Sequence, residues 1–191
     1  MSLQAEGCFL IASPYLSDPN FFRTVIYIIR HNEDGAFGLV VNRPTQVAVE
    51  SVLSDTLGQQ PRSGGPIHYG GPVEGPLIAM HQLVGLGEPC AVAGGDSATA
   101  QVWVTTDEDH LRLLASREDM SILWIAGYSG WGPGQLDAEL RVGGWLLCQA
   151  APDQVFADTG GLWEKLVRQQ GRSVLERILP AEDDGFDPQV N

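Results

Sequence analysis

Residues with types and spacing suited to chemistry fall in three short segments. The most distinctive is Gly127-Tyr128-Ser129-Gly130-Trp131-Gly132-Pro133-Gly134-Gln135-Leu136-Asp137-Ala138-Glu139-Leu140. The pattern predicts a hydrophobic strand over Ser121–Ala126, a glycine-rich bend, and a helix with Pro133 in its first position. Free backbone N–H groups at such a helix start can bind an anion or an electron-rich oxygen, and Trp131 could stack on a planar ligand. A second, purely structural reading has the better support, because glycine-rich turns are common and no lysine or arginine sits inside the loop. The segment could be a tight strand-to-helix turn in which Trp131 plugs the core and Gln135 bonds loop carbonyls.

The second segment, Gly35–Pro44, is a hydrophobic strand ending in Asn42-Arg43-Pro44. Pro44 drives Arg43 toward an extended conformation. The Arg43 guanidinium could then offer a planar fork to a carboxylate or phosphate, or simply pair with a structural acid. The third segment, Gly64-Gly65-Pro66-Ile67-His68-Tyr69-Gly70-Gly71-Pro72-Val73, repeats Gly-Gly-Pro on either side of a short strand and reads first as a pair of turns. His81 lies inside the apolar run Leu77–Leu83, where a lone histidine is ordinarily a core residue rather than a base.

Several chemistries are argued against. A nucleophile elbow needs Gly-x-Ser-x-Gly, and here Trp131 stands where the last glycine belongs. A P-loop needs a lysine that is missing, and an acidic helix follows instead. His31, His68, His81 and His110 show no ligand spacing, and Cys8, Cys90 and Cys148 form no Cys-x-x-Cys pair. No catalytic residue, metal site or cofactor motif is therefore assigned. An enzyme using general acid–base chemistry through His81 or Glu139 near Arg43 is the alternative to a binding role.

Eleven basic against 24 acidic residues give a formal net charge of −13. Nucleic-acid affinity rests mostly on Lys and Arg neutralising phosphates, so this balance opposes direct DNA or RNA binding. It opposes adsorption to an anionic membrane equally. No leader pattern or apolar run near membrane-spanning length occurs, and unpaired thiols suit a reducing compartment, so a cytoplasmic location is expected.

The elements that must position these segments follow from periodicity. Short runs rich in Val, Ile, Phe and Trp recur at Cys8–Ser13, Thr24–Arg30, Ala36–Val41, Leu77–Leu83, Val102–Thr105, Ser121–Ala126 and Trp145–Ala150. The link His31–Gly35 ends in Asp-Gly and predicts a hairpin. Val49, Val52, Leu53 and Leu57 share one helical face. Thr106-Asp107-Glu108-Asp109 resembles a capping box opening a helix that buries Leu111, Leu114 and Ala115. Leu162, Trp163, Leu166 and Val167 form a stripe ended by Gly171, and Val174, Leu175, Ile178 and Leu179 form another. This is not the βαβ alternation of a doubly wound fold. The expected class is α+β, a single domain over 1–180, with a mixed, largely antiparallel, strongly bent sheet. The acidic run 181–191 is expected to be a disordered tail.

Together these segments resemble the YqgE/AlgH family of bacterial proteins. The resemblance is carried by GCFLIASPYLSDPNFFRTVIYIIRH, GAFGLVVNRP, IHYGGPV with the later His81, GYSGWGPGQLDAEL and the terminal LWEKL. It implies a sheet folded into a pseudo-barrel with about four helices around it. It implies no defined activity; members are often labelled transcriptional regulators. Residues it marks as ligand-binding candidates are Asn42, Arg43, Pro44, Gly71, Pro72, His81, Tyr128, Trp131, Gly132, Gln135 and Glu139, to which the local reading adds Gly70 and Ser129. The resulting expectation is a binding or regulatory module. In it Arg43 and helix-start amides hold an anionic group, and Trp131 covers an apolar or planar part. The ligand would be a small molecule or a protein partner, with any effect on transcription exerted through that partner. The sequence does not set the oligomeric state.

Overall fold

The computed structural model describes residues 4–62, 64–90, 102–157 and 160–178, so the segment 181–191 lies outside the described residues. Among them are ten strands and five helices. The strands are β1 (Cys8–Ala12), β2 (Val25–Asn32), β3 (Gly35–Val40), β4 (Pro44–Ala48), β5 (Pro66–Tyr69), β6 (Val73–His81), β7 (Glu88–Cys90), β8 (Val102–Thr105), β9 (Leu123–Trp131) and β10 (Trp145–Gln149). The helices are α1 (Val49–Leu57), α2 (Glu108–Ala115), α3 (Gln135–Arg141), α4 (Pro152–Val155) and α5 (Leu162–Ile178). The protein is α+β, as its periodicity predicts.

The main sheet runs β10-β1-β2-β3-β9-β6-β8-β7, with β5 joining β9 and β4 joining β5. All of these neighbours pair antiparallel except β5 with β9. The sheet curls into a half-barrel. Cys90 and Val102 from one end pack in the same buried cluster as Phe9 and Tyr27 from the other. The β2–β3 hairpin is tighter than the five-residue link the sequence suggests. Asn32 pairs with Gly35 across a two-residue turn, and the Asp34 amide donates to Asn32 Oδ1 at 3.0 Å.

Strand alternation divides the core in two. On β6 and β9, Ile78, Met80, Leu123 and Ile125 face the barrel interior, whereas Ala79 and Trp124 lie on the opposite face. There α1 and α2 cover them with Val49, Leu53, Leu57, Leu111, Leu114 and Ala115. The α5 stripe of Leu162, Trp163 and Leu166 packs on the first cluster, and Trp163 Nε1 donates to the Ala12 carbonyl at 2.8 Å.

Three local expectations are corrected. Gly127–Trp131 is not a bend; β9 continues through it to Trp131. Pro133 precedes rather than opens its helix, because Gly134 takes the left-handed conformation at φ 68° and α3 starts at Gln135. Gly171 does not end its helix, since α5 runs on to Ile178. A glycine in mid-helix costs only about 1 kcal/mol, which the packing of this helix on the barrel outweighs.

Candidate functional site

The reason β9 stays a strand through its glycines lies in what crosses it. The backbone at Gly70–Gly71 runs so close to Gly127–Ser129 that no side chain fits between them. A Cβ on Gly70 would sit 2.2 Å from the Gly127 carbonyl oxygen, and one on Gly71 (φ 149°) would sit 2.3 Å from Tyr128 backbone atoms. Glycine inside a strand often marks such a close approach. Ser129 is fully buried at this crossing, and its hydroxyl donates to the Gly70 carbonyl at 3.2 Å. That carbonyl also accepts the Val40 amide at 2.9 Å. Tyr128 tilts against Phe37, with ring centroids 5.1 Å apart.

Beyond the crossing, Trp131, Gly132, Gln135 and Glu139 close into one hydrogen-bonded unit. Glu139 Oε2 accepts the indole N–H of Trp131 at 3.0 Å and of Trp145 at 2.8 Å. Its Oε1 accepts from Gln135 Nε2 at 2.9 Å, and Gln135 Oε1 accepts from the Gly132 amide at 3.1 Å. Phe21 packs onto both indoles, 6.3 Å from Trp131 in a stacked arrangement and 5.3 Å from Trp145 edge-on.

Asn42 and Arg43 reach the same loop from the other side. Asn42 Oδ1 accepts the Val25 amide at 2.8 Å while its Nδ2 donates to the Arg23 carbonyl at 2.9 Å. The Arg43 fork donates to the carbonyls of Asn20 at 2.6 Å and of Pro19 and Phe22 at 3.4 Å, and lies over the Tyr69 ring. Arg23 itself holds a left-handed φ of 54°, a strained conformation that the bond on its carbonyl helps to fix. Pro44 opens β4 opposite His68, and Pro72 is exposed.

His81 belongs to neither group. It is fully buried at the end of β6, where Nδ1 accepts the Leu83 amide at 3.1 Å and Nε2 has no hydrogen-bond partner among the described residues. Burial first, and the nearby His110 second, push its pKa down to about 4. The ring is therefore neutral at physiological pH. Burial also lowers His68, and it raises the thiols of Cys8 and Cys148 and carries that of Cys90 up to about 12.

An open cleft of about 320 Å3 lies at the barrel mouth, formed by residues that no sequence motif brings together. Ile29, Phe37, Ile78 and Val104 make its apolar floor; Glu88, Thr105, Thr106, Asp107 and His110 supply its polar groups. β2, β3, β6 and β8 each contribute one floor residue, β7 and the end of β8 supply Glu88 and Thr105, and the start of α2 adds Thr106, Asp107 and His110. Asp107 caps that helix: its Oδ1 accepts the amides of Asp109 at 3.0 Å and His110 at 3.1 Å. His110 Nδ1 is 3.1 Å from Thr105 Oγ1, which also accepts the Asp107 amide at 3.2 Å. Of the residues singled out from sequence, Trp131 borders a second, more polar cleft of about 270 Å3 with Arg30, Asn32 and Asp34. The capping signal at Thr106–Asp109 is the one trace of the larger cleft visible in the sequence. Among the described residues, no group of three or more His, Cys, Asp or Glu side chains could hold a metal ion. No described helix is long and apolar enough to cross a membrane.

Comparison with known proteins agrees with this architecture. Residues 9–175 match the AlgH-like family. A UPF0301 protein of Cupriavidus pinatubonensis is 39% identical over 155 residues, 78% of each chain. One of Ruegeria pomeroyi is 35% identical over 182 residues, covering 91% of this chain and 95% of its own. The solution structure of the AlgH protein from Pseudomonas aeruginosa superposes with a TM-score of 0.68 at 32% identity, covering 95% of this chain and 97% of that one. A crystal structure from Corynebacterium diphtheriae gives 0.65 at 25% identity, covering 88% of each chain. The chain belongs to the AlgH-like family.

Proposed function

We propose that this chain is a non-catalytic cytoplasmic binding module whose ligand, a small molecule, enters the cleft at the barrel mouth. One observation carries the reading: an accessible space of about 320 Å3 with an apolar floor and a few convergent polar groups. Small-molecule sites have this composition, start at about this size, and favour the mouths of β-barrels. A regulatory effect would then arise from ligand occupancy passed to a protein partner.

General acid–base catalysis is less well supported. The Glu139 carboxylate has both oxygens engaged with Trp131, Trp145 and Gln135. His81 is fully buried and held neutral, with its Nδ1 occupied. Arg43 spends its donors on the loop carbonyls of Pro19, Asn20 and Phe22, so an external anion would compete with three internal acceptors.

The test is native mass spectrometry of protein purified from its own cells, followed by denaturing extraction of whatever it carries. A discrete adduct that disappears in Thr106→Trp is the expected result. Thr106 is exposed and lines the cleft, so an indole there fills the space without disturbing the core. An adduct retained in a folded Thr106→Trp protein places the ligand elsewhere and overturns the reading.

A further inference from the structure

We propose that the barrel-mouth cleft selects an organic ammonium ion carried on an apolar stem. The inference rests on the cleft being the binding site and names the chemistry of what it takes.

Charge comes first. The lining carries two carboxylates, Glu88 and Asp107, and no lysine or arginine. Glu88 is exposed, and its carboxylate meets no hydrogen-bond or ion-pair partner among the described residues. Asp107 has one oxygen fixed by the helix amides it caps, which orients the carboxylate and leaves its second oxygen for a ligand. A helix start ordinarily favours an anion. Here the Asp109 and His110 amides that would bind one are already taken by Asp107, and Glu108 and Asp109 add negative charge in the first turn. An anionic ligand would therefore sit between like charges with its usual donors occupied. A cation would meet two carboxylates, both exposed to solvent, so their attraction for it is modest and screened by salt.

The floor supplies the second criterion. Ile29, Ile78 and Val104 offer aliphatic surface, and the half-buried Phe37 adds an aromatic ring among the lining residues. An ammonium group within about 6 Å of such a ring gains from its quadrupole, and the attached stem buries apolar area on the aliphatic neighbours. A small inorganic cation would leave that floor unused. A neutral hydrocarbon would leave the carboxylates facing it. The alkyl- or arylalkyl-ammonium class satisfies both halves.

Three phenyl-bearing probes of similar size separate the possibilities: phenethylammonium, phenethyl alcohol and phenylacetate, each titrated into isotope-labelled full-length protein and followed by amide NMR. The expected result is that phenethylammonium shifts the amides of Phe37 and Val104–Asp107. It should bind about 2- to 5-fold more tightly than the alcohol, the scale of one exposed charge contact. Glu88→Gln, an exposed substitution that leaves the core untouched, should weaken it by a similar factor, and added salt should weaken it further. Equal binding of alcohol and ammonium, unchanged by Glu88→Gln, overturns the ammonium assignment while leaving the cleft as the site. Preference for phenylacetate does the same. If no probe shifts these amides at millimolar concentration, the cleft reading falls together with the assignment.

Discussion

Replacing Glu139 by alanine strips the acceptor from two indole N–H groups at once. Trp131 and Trp145 are only 6% and 3% exposed, and both donate to Glu139 Oε2. A hydrogen bond to a charged acceptor contributes about 1.5–3 kcal/mol net, and a buried donor left unsatisfied costs about 1–3 kcal/mol. Because Glu139 is half-buried, water can reach part of the vacated space, so the lower half of the combined range applies. The better helix propensity of alanine returns a few tenths of a kcal/mol. The expected loss is roughly 2–4 kcal/mol, a large share of the ~5–15 kcal/mol that holds a domain together. Glu139→Gln should lose less, roughly 1 kcal/mol. Its carboxamide oxygen still accepts the indoles, but its NH2 then faces the donating Nε2 of Gln135. Combining Gln135→Glu with Glu139→Gln restores donor to acceptor across the pair, and the carboxylate then at position 135 can still accept the Gly132 amide. That double variant should recover most of the difference. Urea unfolding followed by far-UV circular dichroism reads these changes as midpoint shifts at constant slope. A loss below about 0.5 kcal/mol for Glu139→Ala, or no recovery in the exchange, would refute the view that this carboxylate clamps the two tryptophans.

Two further outcomes follow from groups outside that clamp. His81 ionises near 4 when folded against an ordinary 6.5, so between those pH values the unfolded chain binds a proton that the folded chain does not. Its contribution is fully present above about pH 6.5 and is lost as pH falls toward 4. The total is roughly 3 kcal/mol, and His81→Leu should flatten the fall in urea midpoint between about pH 7 and pH 4.5. Arg43→Ala frees the carbonyls of Pro19, Asn20 and Phe22 and should lower stability by roughly 1–3 kcal/mol, with new protease cleavage in the 18–23 loop. Arg43→Lys, which lacks the planar fork, should rescue little of it.

The sequence carries the strands, the hairpin and the capped helix because each is written in local periodicity. Leu111, Leu114 and Ala115 are buried where their spacing puts them, although the cap is Asp107 rather than Thr106, which opens the capping-box pattern. The glycine-rich block is different. A glycine that turns a chain and a glycine that lets another backbone cross it look alike in one dimension. The crossing partner of Gly127 is Gly71, more than fifty residues away. The cleft is less legible still. Its floor comes from β2, β3, β6 and β8, each contributing an ordinary apolar residue, and Glu88 opens a three-residue strand with no pattern to announce it. Such a site exists only once the sheet has curled.

That separation bears on what the unusual segments are for. Asn42, Arg43, Trp131, Gln135 and Glu139 converge from two directions on the loop that carries Phe21, and every polar group among their side chains named above has an internal partner. They form a brace on one side of the barrel, while the open cleft draws on residues of unremarkable type. Phe37 stands between them: it packs against Tyr128, lines the larger cleft, and borders the polar cleft beside Trp131. Packed cores respond to strain by shifting between discrete arrangements rather than deforming smoothly, so a ligand that displaces the Phe37 ring would press on Tyr128 and through it on the Gly70–Gly71 crossing. A module built to report occupancy would need such a link, and this ring joins the larger cleft to Tyr128 at the crossing.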